Sequence, residues 1–233
     1  MQMSAPITGS WCSRGYSLMS TQLFTQTDIA QLPSRYRAHF INSLSGFKSA
    51  NLLATVDAKG RTNLAMISSL VHLGADPALM GYITRPQTVT RHSVENIVAT
   101  GVYTFNQVNS LMLPAAHQCG AKYPREVSEF AATGLNEGYV DNFAAPYVQQ
   151  SNLSIGLRLI EKVLIKHNGT ELIIGEIAWV RLPSAVIAED GYVALELLDT
   201  VAVSGLDGYH RTQRIARFSY PEAEQAVQQL KSL

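Results

Sequence analysis

The sequence predicts a mainly β fold, a closed or nearly closed antiparallel barrel with short peripheral helices. Six or seven strand-like runs follow one another at short spacing, which is typical of all-β sandwiches and barrels. Helical runs are few and short, so a parallel doubly wound sheet, which needs a helix between successive strands, is not favoured.

The N-terminal part of the chain carries little structural signal. Residues 1–18 are polar, rich in small residues and without hydrophobic periodicity, so we expect a flexible extension there and a single domain over 19–233. Residues 28–44 have apolar residues at helical spacing, with Pro33 in the first third, and predict one helix or two short ones.

The strand pattern begins after this helical region. The runs at 51–56 and 62–73 predict a hairpin around a turn at 57–60. After a turn at Asp76-Pro77, the sequence predicts a strand ending near Thr84, a short helix that begins within 90–93 and ends at Gly101 with Val94, Ile97 and Val98 on one face, and a half-buried strand at 102–108.

The segment 109–150 is irregular, with one or two helical turns at 124–135. The rest of the chain predicts strands at 157–168 and 170–182 around an Asn168-Gly169 turn, a strand at 194–205, a glycine-rich turn at 205–210 and a helix from Tyr220 to the C-terminus.

Composition limits the partners. Only 15% of residues are charged, against about 25% in typical domains, which suggests that another subunit covers part of the surface. The 18 basic and 18 acidic residues cancel, so nothing indicates nucleic acid, and no apolar run is long enough to predict a membrane span. Cys12 and Cys119 are far apart and predict neither a disulfide framework nor a metal site, which fits a reducing cytoplasm.

The segment 84–97, TRPQTVTRHSVENI, concentrates hydrogen-bond donors between a strand and a helix. The first turn of a helix leaves backbone N–H groups unpaired and suits a phosphate. Arg85 and Arg91 could add forked donors, Thr90 and Ser93 add hydroxyls, and His92 could donate or cap the helix. The alternative is an ordinary capped helix with surface arginines.

Two other segments carry polar groups in unusual places. Asn63, Ser68, Ser69 and His72 interrupt the apolar strand at 62–73, either to let a flat ligand lie against the backbone or as a strand bend with satisfied serines.

The loop at 115–130 carries His117 and Lys122 beside Cys119. A Cys/His nucleophile pair is conceivable there, but the thiol would need activation. A flap or subunit contact is the simpler interpretation.

The sequence lacks the dinucleotide, P-loop, zincin and nucleophile-elbow motifs. If the protein is an enzyme, a bound cofactor therefore supplies the chemistry.

Taken in order, these segments resemble the flavin reductase-like family of FMN-binding split-barrel proteins, the flavoredoxin-like proteins. The resemblance covers roughly residues 36–209 and rests on these pieces: FINSLSGFKSANLLAT, NLAMISSLVHLGADP, GYITRPQTVTRHSVENI, GVYTFNQV, AHQCGAKYPREVSEF and VSGLDGY. It implies a six-stranded antiparallel split barrel that works as a homodimer, with FMN at the dimer interface.

The resemblance also implies a set of cofactor-binding residues. The strand that holds the isoalloxazine corresponds to Asn63, Ala65, Ser68, Ser69 and Leu70. The loop that holds the phosphate corresponds to Arg85, Thr90, Arg91, His92 and Ser93, and Asn106 occupies a position often near the cofactor. Relatives often carry an acidic residue and then threonine where this chain has His92 and Ser93, so the individual phosphate contacts differ.

The activity implied is that of an NAD(P)H-dependent flavin reductase or related oxidoreductase. His117 and Lys122 are the candidates for lining the open face of the flavin. A partner oxygenase or another electron acceptor would take the electrons. The alternative is a non-catalytic flavin-binding protein that serves as an electron carrier, store or sensor.

Overall fold

The computed structural model describes residues 21–86 and 92–230. The chain divides into two compact units, residues 1–38 and 39–233. The extension predicted at 1–18 lies outside the described residues. Within the described ranges, no helix is both long and apolar enough to cross a membrane.

Five short α-helices are described. They are α1 (Gln26–Gln31), α2 (Ser34–Leu44), α3 (His92–Thr100), α4 (Leu113–Gln118) and α5 (Glu129–Thr133). Pro33 separates α1 from α2, so the prediction of two short helices is the correct one. A capping box formed by Thr25 and Asp28 begins α1. Gly101, with φ of 72°, ends α3 as predicted.

Twelve strands are described. They are β1 (Lys48–Ser49), β2 (Asn51–Val56), β3 (Thr62–Ile67), β4 (Leu70–Ala75), β5 (Ala78–Thr84), β6 (Val102–Gln107), β7 (Glu137–Val140), β8 (Phe143–Val148), β9 (Ser154–Ile165), β10 (Thr170–Arg181), β11 (Val201–Ser204) and β12 (Gly208–Arg211). Two 3₁₀ helices, Ser184–Val186 and Leu195–Leu198, lie between β10 and β11.

The main sheet contains seven strands, one more than the six predicted, because one bent strand of the barrel is divided into β3 and β4. Its hydrogen-bonded order is β3-β2-β6-β9-β10-β5-β4, and the described neighbours are all antiparallel. The two ends of this order, β3 and β4, are consecutive in the chain and are joined only by Ser68 and Ser69. The sheet must therefore curl until its edges meet, and the predicted fold class is confirmed. The predicted strand at 62–73 is one strand in sequence but breaks at these two serines.

The buried hydrophobic side chains of the described residues form three clusters, of which the two larger ones lie on opposite faces of β2. The barrel interior holds large apolar side chains, among them Leu53, Tyr103, Phe105 and Ile173, and α3 contributes Ile97 to it. The prediction that Val98 shares the face of Val94 and Ile97 is wrong, because Val98 is 57% exposed.

The second core lies on the outer side of β2 and β3. Leu52 and Leu64 point outward there and pack against Ala116 of α4, Phe130 of α5 and Val203 of β11. Since successive residues of a strand face opposite sides, β2 alternates between the two cores and is buried along its whole length.

Strand β6 is buried on both faces, which corrects the half-buried strand predicted from its alternation. Tyr103 and Phe105 face the barrel interior, and the threonine between them, Thr104, donates to the carbonyl of Pro146 on β8 at 2.7 Å. The β7–β8 hairpin and α4 were not predicted, because 109–150 lacks a clear period.

The predicted C-terminal helix is wrong for the described part of that segment. An antiparallel bridge joins Phe218 to Gln229, and the backbone N–H of Leu230 donates to the carbonyl of Arg217 at 2.9 Å. Two of the four residues in the stripe that predicted the helix are alanines, Ala223 and Ala226, and Val227 is 54% exposed, so helical burial would stabilise little. The predicted strand at 194–205 begins instead with the 3₁₀ helix Leu195–Leu198.

Candidate functional site

Strand β3 presents an open backbone edge. It ends the order of the main sheet, so only β2 pairs with it there. The N–H of Leu64 points away from β2 and donates to Glu129 Oε2 at 2.8 Å. Backbone groups two residues along an antiparallel strand point the same way. The N–H and C=O of Met66 are therefore directed to this edge, where a flat ring with its own donors and acceptors can bind.

The bend at Ser68 and Ser69 closes one end of this edge. Ser69 Oγ donates to the carbonyl of Ile83 at 2.8 Å, which ties the bend to the end of β5. Leu70 lies directly opposite Tyr82 on β5. Predicted ring-binding residues therefore sit where β3 leaves one edge of the sheet and joins the other.

The start of α3 lies against β3. Asn63 Nδ2 donates to Ser93 Oγ at 2.9 Å, which joins the predicted ring-binding strand to the predicted phosphate-binding loop. His92 and Ser93 are half-buried in the first turn, and Arg85 is exposed just beyond β5. Thr90 and Arg91 lie outside the described residues.

An ion pair neutralises the acidic residue in the first turn of α3. Glu95 is paired with Arg125, which also donates through Nη2 to Asn96 Oδ1 at 3.3 Å. A free carboxylate would repel an anion at this helix N-terminus. The arrangement leaves the first turn electrostatically suited to a phosphate. No local pattern in the sequence predicts the contact between Arg125 and Glu95.

Glu129 supports β3 from the outer core. It is 7% exposed, and burial raises the pKa of its carboxyl while the bond from the Leu64 N–H and the nearby His92 act against that rise. The residue was not predicted as part of the site.

Asn106 is committed to the fold. It is fully buried, its Nδ2 donates to Thr104 Oγ1 at 2.8 Å, and its Oδ1 accepts from the N–H of Val148 at 2.9 Å. The bond from Val148 connects β8 to β6, and the bond to Thr104 lies within β6. A direct contact between Asn106 and a cofactor remains a prediction, whereas its hydrogen bonds to Thr104 and Val148 are present in the structure.

In the segment around α4, Cys119 is buried whereas His117 and Lys122 are exposed, which bears on the alternative of a Cys/His nucleophile pair. Cys119 is buried, and burial raises the pKa of its thiol to about 11, which leaves almost no thiolate at neutral pH. His117 and Lys122 are exposed, and His117 Nδ1 lies 2.8 Å from Tyr209 Oη. The geometry therefore disfavours a cysteine nucleophile and leaves His117 and Lys122 accessible.

A cavity of about 360 Å³ lies elsewhere, between the segment after β12 and the C-terminal strand-like segment, with Arg214 and Arg217 in its wall. Both arginines are already paired, with Glu196 and Asp190 respectively. None of the predicted cofactor-binding residues lines this cavity.

The residues around β3 fit a flavin. The open edge of β3 offers backbone donors and acceptors to a flat heterocycle, and the start of α3 with Ser93 and Arg85 offers donors to an anion. Residues 44–198 match the family described as flavin reductase like domain.

The chain belongs to the flavin reductase like domain family. This membership supports a flavin as the cofactor of the chain. A search of the curated proteins gave no match.

Solved structures agree on the fold. A candidate flavin reductase with a split barrel domain from Shewanella frigidimarina NCIMB 400 is 48% identical, with a TM-score of 0.83, over 86% of this chain and 100% of the other. Nitrilotriacetate monooxygenase component B from Bacillus cereus is 14% identical, with a TM-score of 0.73, over 84% and 98% of the two chains. An FMN-binding protein from Thermus thermophilus is 16% identical, with a TM-score of 0.61, over 83% and 96%.

Proposed function

We propose that this protein is an FMN-dependent oxidoreductase, a flavin reductase that uses NADH or NADPH. When bound, FMN would take up two electrons from the reduced nicotinamide and deliver them to an acceptor. The protein binds the ring, holds the phosphate and limits access of water. The cytoplasmic location predicted from the sequence stays part of this proposal.

One observation carries the proposal. The bond from Asn63 to Ser93 brings an open strand edge and a helix N-terminus side by side. A ligand that fits both surfaces has a flat hydrogen-bonding ring at one end and an anion at the other. FMN has this form, and riboflavin lacks the anion.

The phosphate end is assigned to the residues around the start of α3. They are Arg85, Thr90, Arg91, His92 and Ser93. Ser93 already accepts a hydrogen bond from Asn63, so its own hydroxyl proton is available for another acceptor. The Arg125–Glu95 pair keeps the neighbouring carboxylate from opposing the phosphate charge.

We also propose a homodimer through the outer face of β4, β5, β10 and β9. Val71 and Leu73 are each 40% exposed and Ile83 is 36% exposed. Ile83 lies opposite Leu172, which in turn lies opposite Val163, so apolar side chains continue across the sheet. A second copy of the chain fits such a face, since homodimer interfaces are more apolar than the rest of a protein surface.

The dimer is tested by introducing a charge into this face. Leu73→Lys is expected to shift the mass measured by light scattering from about twice 25.5 kDa toward 25.5 kDa, because an unpaired ammonium cannot be buried cheaply. Val180→Lys is the matched control: it is 48% exposed, on β10 but about 26 Å from Leu172 at the strand rise. A monomeric wild type that still binds FMN would overturn the interface-site model.

Activity is tested by anaerobic titration of the FMN-loaded protein with each nicotinamide. Bleaching of the flavin absorbance band by NADH or NADPH establishes the reductase. A flavin band unchanged by both contradicts it and favours the non-catalytic carrier, store or sensor. A monooxygenase component B among the similar folds makes a partner oxygenase the first acceptor to test, by oxidation of the reduced flavin on mixing.

A further inference from the structure

Tyr209 on β12 reaches a residue far away in the chain, His117 at the end of α4. Its hydroxyl oxygen lies 2.8 Å from His117 Nδ1, and the two rings meet edge to face with centroids 5.6 Å apart. The body of Tyr209 packs against the outer core, whereas the imidazole of His117 is exposed. An anchored phenol therefore holds a histidine that would otherwise rotate freely.

This pair lies next to β3. Helix α4 packs against β3, and a Cβ placed on Gly120 would lie 3.1 Å from the carbonyl oxygen of His117 and 4.0 Å from Cβ of Met66. Met66 is the residue whose backbone is directed to the open edge of that strand. The backbone at the end of α4, which carries His117, therefore passes close to the strand that is predicted to hold the flavin ring.

The chemistry of the two groups sets the direction of their hydrogen bond. Burial, with a smaller contribution from Asp207, raises the pKa of Tyr209, so its hydroxyl keeps its proton at neutral pH. A phenol O–H is a stronger acid than the N–H of a neutral imidazole, and an imidazole nitrogen is a good acceptor. A bond donated by Tyr209 Oη–H to His117 Nδ1 leaves the ring proton on Nε2.

We propose that Tyr209 is a positioning residue that fixes His117 in the Nε2–H tautomer, so that this N–H donates to the carboxamide oxygen of the reduced nicotinamide. The part that concerns the nicotinamide rests on the proposed reductase function. The tautomer assignment depends only on the contact between the two side chains. Tyr209 lies outside the residues assigned to the site from the sequence.

The first test reads the tautomer in the flavin-free protein. Nitrogen-15 chemical shifts of His117, identified by comparison with His117→Gln, are expected to show an unprotonated Nδ1 and a protonated Nε2 at a pH where the ring is neutral. Tyr209→Phe should give a mixture of the two tautomers. The control Tyr123→Phe removes a hydroxyl that accepts from neighbouring Gln118 at 3.1 Å, and it should leave the His117 signals unchanged.

A wild-type His117 protonated at Nδ1, or one that keeps a single tautomer in Tyr209→Phe, overturns the positioning role. Melting temperatures of the variants show whether each is folded. If Tyr209→Phe does not fold, the tautomer of His117 in the wild type decides whether the positioning role holds.

The second test uses the FMN-loaded enzyme. Tyr209→Phe is expected to raise the KM for the nicotinamide about 3- to 10-fold with little change in kcat, as loss of one oriented hydrogen bond requires. Tyr123→Phe should leave both constants unchanged. If Tyr209→Phe alters the tautomer but not the KM, the contact from His117 to the nicotinamide is overturned and the positioning role of Tyr209 stands. If neither nicotinamide reduces the wild type, the reductase function is overturned and the tautomer result stands.

Discussion

Ser93→Ala tests the phosphate site at a described contact. The Ser93 hydroxyl accepts from Asn63 Nδ2 at 2.9 Å, and this bond orients its remaining proton. If that proton is donated to the phosphate of FMN, the alanine variant loses one hydrogen bond to a charged group. Riboflavin has the same rings without the phosphate, so its affinity should not change.

The magnitude follows from the kind of bond lost. A neutral hydroxyl on a partly buried phosphate contributes less than a guanidinium, and we take about 1–1.5 kcal/mol. This predicts a loss of about 5- to 12-fold in FMN affinity. Asn63→Ala should weaken FMN binding as well, because it releases the Ser93 hydroxyl from its orientation. The two effects should be less than additive in the double variant, since both act through the same hydroxyl.

Affinities for FMN and riboflavin are measured by quenching of flavin fluorescence on titration with flavin-free protein. Ser128→Ala is the control, because that hydroxyl contacts Thr62 at 2.8 Å and lies at the start of α5. Equal losses for FMN and riboflavin in Ser93→Ala would show that the bond supports the fold of α3. Additive losses in the double variant would refute the orientation by Asn63.

Three further predictions address charge and burial. Arg91→Ala should weaken FMN binding by about 10- to 100-fold and leave riboflavin unaffected; equal losses would assign the arginine to the fold. Because burial raises the folded-state pKa of Glu129, its stabilising contribution is present below the unfolded value near 4.5 and is lost as pH rises through the folded value. Relative to Glu129→Gln, the wild type should therefore melt higher at pH 4.5 than at pH 7.5, and parallel melting curves across pH would contradict this. Cys119, studied in a Cys12→Ser variant, should resist iodoacetamide at pH 8 until the protein is unfolded, since its pKa is raised to about 11; rapid alkylation of the folded protein would contradict its burial.

The barrel strands were predicted well because β-rich runs and the turns between them depend on a few neighbouring residues. The hairpin between β9 and β10 is set by Asn168 and Gly169, and Gly169 has φ of 72° as its turn requires. The strand β2 and the turn before β3 were likewise visible as a β-rich run and a glycine-containing turn. Such features depend on a few neighbouring residues, so the sequence contains them.

The errors have one physical source, which is packing between distant segments. Strand β6 alternates in sequence, yet β8 covers its polar side through Thr104 and Asn106. The C-terminal stripe has the period of a helix, but pairing of Phe218 with Gln229 decides its conformation. Local periodicity cannot show what will cover the second face of a strand or pair with a weak amphipathic segment.

The candidate site shows the same division. The resemblance to the family identified Asn63 and Ser93 separately, and the structure joins them. Glu129, Arg125 and Tyr209 were not predicted as site residues. They contact Leu64, Asn96 and His117 respectively, and each lies in a segment far away in the chain from the residue it contacts.

The bend at Ser68 and Ser69 explains why the barrel and the candidate site occur together. A strand that pairs with β2 along one half and with β5 along the other must change direction between them. Before the bend, β3 pairs only with β2 in the main sheet, so its other edge has no strand partner there. Small residues suit the bend because the backbone turns sharply there, and the Ser69 hydroxyl donates to the backbone carbonyl of Ile83 near the end of β5. The unpaired edge of β3 is therefore a consequence of closing six strands into a barrel with one bent strand. A ligand that uses this edge can vary without any change in the fold, so we expect Asn63, Ser93 and the residues that position them to determine what the site binds.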